Sequence, residues 1–195
     1  MAVAFDSGVF GIYNMPGVEN VHSLSVGNTG ITSIQLNSTG DWVAVGVGMK
    51  GQLLVWEWQS ESYVLKQQSH GFSVNAMSYS PDGSKVATGG EDGKVKLWSG
   101  GSGFCFVTFD EHNAPVKDVE WTSKGVVVSA SLDGTVRCFD TVRYRNFRTL
   151  VSPNPTQFLS VAVDEAGEIV AAGSVEPFNV HLWSMQTGKI LDILR

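Results

Sequence analysis

Apolar and polar residues alternate along this chain in short runs, and the runs recur. Before glycines 40, 83, 125 and 167, apolar residues sit six and four positions upstream, as Ile34/Leu36, Met77/Tyr79, Val119/Trp121 and Val161/Val163. Spacing by two puts each pair on one face of a strand. After each glycine comes a β-rich run (WVAVG, KVATG, VVVSA or IVAAG) of the kind that fills a buried strand. A third run places Leu53/Val55, Val95/Leu97, Val136/Cys138 and Val180/Leu182 three and one positions ahead of an aromatic residue. A fourth run, SYVLKQQ, GFCFVTF, YRNFRTL or KILDIL, completes the set. No stretch of ten or more residues carries helical periodicity. The pattern predicts units of four short strands and no helix.

The unit keeps a fixed length. The terminal aromatics Tyr13, Trp56, Trp98, Phe139 and Trp183 are separated by 43, 42, 41 and 44 residues, and the turn glycines by 43, 42 and 42. Four strands per unit at this period describe the blade of a β-propeller. Such a sheet cannot cover its own faces and buries them against its neighbours. The predicted fold is therefore all-β, a WD40-type β-propeller, present as a partial arc of about four and a half blades within a single domain, 1–195. A half blade at 5–27 would hold the last two strands of an earlier blade. Full blades are expected at 31–68, 74–109, 116–150 and 158–194, with the terminal aromatics packed between them. WD-type rings hold more blades than this, so the arc is expected to belong to a longer protein.

A turn between the second and third strands carries the next signal. In GGEDGKVKLW, Asp92–Gly93 makes the turn, and a buried aspartate there needs hydrogen-bond partners. His70, Thr88 and Trp98 lie at the offsets where WD-repeat blades link a histidine, a hydroxyl and an indole to that carboxylate. The following copy offers His112, Ser129 and Asp133, with Phe139 in the tryptophan's place. Lys50 and Pro177 occupy the aspartate position in the blades at 31–68 and 158–194, so one copy in four is complete.

Composition narrows the function. The chain of 195 residues is 43% hydrophobic with a formal charge of −6, which suits a globular protein whose surface as a whole does not attract nucleic acid. No apolar run approaches the roughly 20 residues of a membrane helix, and the first residues do not form a secretory leader. Cys105 and Cys138 follow no metal or disulfide spacing and are read as buried reduced thiols. The four histidines fall on separate blades without ligand spacing, no phosphate loop precedes a helix, and the acidic pairs Asp110–Glu111 and Asp164–Glu165 lie in turns. Neither catalysis, metal, cofactor nor small-molecule substrate is expected. One segment stands out. Four of the five arginines crowd around VRCFDTVRYRNFRTL, and Arg143, Tyr144, Arg145 and Arg148 are the candidate contact residues. Arginine with interleaved aromatics suits RNA, a protein partner, or simple protection of an edge strand. Strand alternation would put Arg143 and Arg145 on one side and Tyr144 and Arg148 on the other.

Longer phrases carry a resemblance. GQLLVWEWQSESYVLKQQ (51–68), SGFCFVTFDEH (102–112), RYRNFRTLVSPNPTQF (143–158) and VHLWSMQTGKILDIL (180–194) are similar to the periodic tryptophan protein 2 family, WD-repeat components of the small-subunit processome. General WD marks are sparse, because no Gly-His dipeptide occurs and only Asp140 follows a terminal aromatic. The resemblance implies a non-catalytic scaffold of ribosome biogenesis located in the nucleolus. Its implied partners are other WD-repeat proteins of a UTP-B-like complex, and pre-ribosomal RNA or a guide snoRNP through the basic strand. The alternative is a general WD interaction module of a vesicle coat or signalling adaptor.

Overall fold

A computed structural model describes residues 1–195, all of it strands and turns. Blade 1 has β1 (Ala2–Ala4), β2 (Val9–Asn14) and β3 (Glu19–Ser25). Blade 2 has β4 (Ile31–Leu36), β5 (Trp42–Val47), β6 (Gln52–Glu57) and β7 (Ser62–Gln68). Blade 3 has β8 (Val74–Tyr79), β9 (Lys85–Gly90), β10 (Val95–Ser99) and β11 (Cys105–Phe109). Blade 4 has β12 (Val116–Trp121), β13 (Val126–Ser131), β14 (Thr135–Asp140) and β15 (Arg145–Val151). Blade 5 has β16 (Phe158–Val163), β17 (Ile169–Ser174), β18 (Val180–Ser184) and β19 (Ile190–Leu194). Each is an antiparallel meander in which strands pair only with their chain neighbours. The all-β arc of a WD40-type propeller is thus the observed fold.

One expectation needs correction. The first sheet has three strands, because Ala2–Ala4 pairs with Phe10–Ile12. The half blade therefore starts ahead of residue 5. Three residues are too few to display an alternation, so the sequence alone does not reveal β1.

The turn between the first two strands of blades 2 to 5 is built the same way each time. Gly40, Gly83, Gly125 and Gly167 all take positive φ (81°, 70°, 73° and 64°), a region open to glycine at no steric cost. Five residues ahead of the second strand's first amide, or four in blade 4, a polar side chain holds that amide: Asn37 accepts from Trp42, Ser80 from Lys85, Thr122 from Val126 and Asp164 from Ile169. Different side chains do one job, which is why the turns share a period without sharing letters.

Apolar side chains of adjacent blades merge into four seams. Phe10 and Ile12 of blade 1 pack on Val43, Val45 and Trp56 of blade 2. Leu53, Val55 and Leu65 meet Val86 and Trp98 of blade 3. Leu97 and Phe109 meet Val127 and Phe139 of blade 4, where the Phe109 and Phe139 rings stack at 4.3 Å. Val128, Val136, Cys138 and Leu150 meet Phe158, Val170 and Trp183 of blade 5. Trp56, Trp98, Phe139 and Trp183 therefore point back toward the preceding blade. Burial pushes the Cys138 thiol up to about 12, which keeps it protonated and inert. Cys105, expected to be buried, is exposed at the start of β11.

The inner strands add polar links between blades. Gln35 accepts from the Tyr79 amide, Ser78 from Trp121 and Asp118 from Val161, each at 2.9 Å and each one blade onward. Asn75 donates to the Val116 carbonyl at 2.8 Å, and Thr32 donates to that of Val74. Burial raises the Asp118 and Glu120 carboxyls, both on β12. Hydrogen bonds thus join the seams that the apolar faces close.

Candidate functional site

Two histidine–aspartate clusters lie between blades on one side of the arc. His70 precedes β8. Its Nδ1 is 2.8 Å from Asp92 and its Nε2 is 2.8 Å from the Thr88 hydroxyl, which accepts from the Trp98 indole at 3.0 Å. The chemistry of the partners sets the direction of the chain. The indole N–H can only donate and the carboxylate only accept, so Nδ1–H donates to Asp92, and with the buried imidazole neutral Thr88 donates to Nε2. Burial, the main influence, holds the His70 pKa below the ordinary 6.5 against the pull of Asp92. Burial would raise Asp92, yet His70 and the Gly71 and Lys94 amides outweigh it and hold the carboxyl below the usual range.

The second cluster repeats the first with substitutions. His112 lies 2.8 Å from Asp133 and 2.7 Å from the Ser129 hydroxyl. Phe139 offers no donor and presents an edge to the imidazole at 6.5 Å. In compensation, the Thr135 hydroxyl and amide both donate to Asp133, at 2.7 and 2.9 Å. In blade 5 a third histidine, His181, stacks on Trp183 at 5.5 Å and meets Ser152 at 3.1 Å, with no aspartate. Every polar group of the two clusters is spent on another group of the frame. Nowhere do three His, Cys, Asp or Glu side chains converge as a metal would require.

The arginine-rich segment is arranged differently from its sequence alternation. Val142, Arg143 and Tyr144 belong to the turn before β15, and Phe147 is the extra residue of a bulge that pairs Cys138 with Arg148 and Phe139 with Asn146. The bulge breaks the period of two. Arg143 and Arg145 share a groove of about 520 Å³ with Lys124 and Phe147. Lys124 was missed from sequence, since it comes from the β12–β13 turn, whereas Phe147 is one of the interleaved aromatics and owes its direction to the bulge. Tyr144 turns to blade 3 and meets the edge of Phe106 at 6.1 Å. Arg148 leaves the contact surface and donates to the Gln186 carbonyl of blade 5 at 2.5 Å, its stem lying against Gly188. It links blades and is withdrawn from the candidate contact set.

The WD domain, G-beta repeat model matches residues 19–57, 61–99 and 103–140. Each match runs from the outer strand of one blade through the third strand of the next, so the repeat of the sequence and the blade of the fold are offset by one strand. The copy with Pro177 is outside the matches. Among curated proteins, Periodic tryptophan protein 2 homolog of Mus musculus is 56% identical over 195 residues, all of this chain and 21% of the relative. Periodic tryptophan protein 2 of Saccharomyces cerevisiae is 51% identical over the same length, again 21% of the relative. Pre-rRNA-processing protein IPI3 of Meyerozyma guilliermondii is 28% identical over 148 residues, covering 68% of this chain and 32% of the relative. The chain spans about a fifth of the length of its two more similar relatives. The chain belongs to the WD-repeat family, and its likeness to periodic tryptophan protein 2 runs from its first residue to its last.

Proposed function

We propose that this arc serves a non-catalytic scaffold for assembly of the small-subunit processome and pre-ribosomal RNA processing, acting in the nucleolus beside other WD-repeat proteins of a UTP-B-like complex. The observation that carries the proposal is identity of 51–56% over the whole chain with proteins named periodic tryptophan protein 2. A more distant relative whose name states pre-rRNA processing supports the same direction. The use of both histidine–aspartate clusters as braces supports a structural role. The groove around Arg143 and Arg145 is the proposed contact surface, with protein or pre-ribosomal RNA as its partner. The test is to tag the full-length protein in its own cells, locate it, and deplete it. Nucleolar location with accumulation of unprocessed small-subunit precursor RNA is expected. Cytoplasmic location with normal precursor processing would overturn the proposal and favour a coat or signalling adaptor.

A further inference from the structure

The turn before the outermost strand uses one left-handed residue in every blade. Those residues are Val18 (φ 54°), Glu61 (53°), Gly103 (71°), Tyr144 (53°) and Gly188 (72°). Two blades fill the position with glycine, the residue the conformation favours, and blade 4 fills it with a tyrosine that is 52% exposed. A bulky residue held at positive φ is strained, and this one recovers little burial for it. Val18 and Glu61 show that the position accepts other side chains as well, so what singles out Tyr144 is its surroundings.

What surrounds Tyr144 defines that contact. Its ring meets Phe106, which is exposed and carries Lys85 above its face at 5.9 Å. Val142, two residues away in the same turn, is 82% exposed. On the other flank lies the groove of Lys124, Arg143, Arg145 and Phe147. A second hollow of about 250 Å³, lined in part by Lys85, shares Gly125 with that groove and joins the two flanks. Asp140 also lines the groove, but its oxygens are taken by the Val142 and Arg143 amides and the Arg143 guanidinium. Arg145 has no carboxylate within 4.0 Å, and neither has Lys85. Arg145, without an ion-pair partner, and Lys85, which shares its hollow with Asp82, thus flank exposed aromatic and aliphatic side chains, the composition of a protein hot spot.

We propose that the surface formed by Phe106, Val142, Tyr144, Phe147, Lys85 and Arg145 docks an acidic protein segment carrying an apolar anchor. The anchor covers Tyr144 and Phe106, and its carboxylates meet Arg145 and Lys85. Charge complementarity selects this occupant over a polynucleotide. The cations form a local island on a chain of charge −6; Asp82 lines the hollow of Lys85 and Glu168 lies 3.8 Å from Lys124, so a run of phosphates would meet both carboxylates. A short acidic segment stays within the island. This deepens the scaffold proposal by naming the partner chemistry of its groove, and it rests on that proposal for the need of a partner.

The test uses the full-length protein, a fluorescent dodecapeptide with a Phe-Leu pair flanked by glutamates, the same peptide with glutamines, and oligouridylate of the same length. The glutamate peptide should bind, weaken with salt, and bind about ten-fold more weakly to Arg145→Glu. Tyr144→Gly should weaken it about five-fold with the melting temperature unchanged or raised, since glycine suits the turn. Equal binding of the glutamine peptide, absence of glutamate-peptide binding, indifference to both substitutions, or preference for oligouridylate would each overturn the docking site. The two proposals fail separately. A nucleolar protein that does not bind the peptide removes only the docking site, and a peptide-binding protein outside the nucleolus removes only the processome role.

Discussion

Replacing Asp92 with alanine should be among the most damaging single changes outside the apolar seams. The carboxylate accepts from His70 Nδ1 at 2.8 Å, from the Gly71 amide at 3.1 Å and from the Lys94 amide at 3.2 Å. Gly71 is exposed, so water takes over its amide at little loss. The Lys94 amide is half-buried and recovers in part. The His70 side chain is wholly buried, so its N–H is left without a partner. A hydrogen bond to a charged group contributes about 1.5–3 kcal/mol, and an orphaned buried donor costs about 1–3 kcal/mol. Because those figures overlap for one contact, we expect a loss of about 3–4 kcal/mol. Lys50 holds the same turn position in blade 2 and its side chain is exposed, so Lys50→Ala should stay within about 0.5 kcal/mol. For a chain of this size the contrast corresponds to a fall of about 6–16 °C in Tm against almost none. Urea unfolding and thermal melts of both variants, each against the unsubstituted protein, measure it. Equal losses would show that the cluster contributes nothing beyond its turn.

Three further outcomes follow from the same geometry. The folded pKa values of His70 and His112 lie below 6.5, so the folded protein binds fewer protons than the unfolded chain below that pH; stability should fall as pH drops through 6.5, with Asp92 and Asp133, also held low, adding losses further down. Asp118 and Glu120, both raised, act in the opposite sense, so the histidine assignment is read in an Asp118→Asn, Glu120→Gln background, where urea midpoints that stay flat between pH 7 and pH 5 would contradict it. Asp118→Ala should remove the only side-chain acceptor of the Val161 amide and cost about 1–2 kcal/mol, seen as faster hydrogen exchange at Val161 ahead of the other amides of β16; unchanged exchange would refute the inter-blade link. Arg148→Ala should loosen blade 5 against blade 4 by about 1 kcal/mol and leave peptide binding at the Tyr144 surface unchanged; impaired binding with an intact blade 5 would return Arg148 to the contact set.

How far the chain's letters reveal this molecule depends on how local each cause is. The strands, their order and the seams are legible because alternation and turn glycines act within a few residues, and apolar residues at fixed offsets face the neighbouring blade. The histidine–aspartate spacings are legible for a related reason, since the repeat length converts separations of about twenty residues into contacts. Legibility fails where two blades meet through polar groups. That Asp118 holds the Val161 amide depends on how β12 and β16 lie beside each other, and nothing near either residue signals it. Arg148 is the sharpest case. Its alternation is broken by the bulge at Phe147, and its place beside blade 5 depends on Gly188, where even a single added carbon would come within 2.8 Å of the arginine stem.

The same contrast separates brace from contact surface in this arc. A polar group that serves the fold finds its partner inside the chain, as His70, His112, Asp118 and Arg148 do, and its environment shifts its pKa or buries its stem. Arg145 and Tyr144 show the reverse. Arg145 has no carboxylate partner although Asp140 pairs with Arg143 one turn away, and Tyr144 occupies a backbone conformation that glycine fills in blades 3 and 5. Strain at a left-handed tyrosine is about 1 kcal/mol, similar to what its edge contact with Phe106 returns, so Tyr144→Gly should leave stability within about 1 kcal/mol while removing the ring. A side chain whose edge contact only offsets its strain, set near an Arg145 without an ion-pair partner, fits the docking role proposed above. Were Tyr144→Gly to unfold the protein, the ring would prove to be part of the blade 3–blade 4 seam, and that reasoning would fail at its first step.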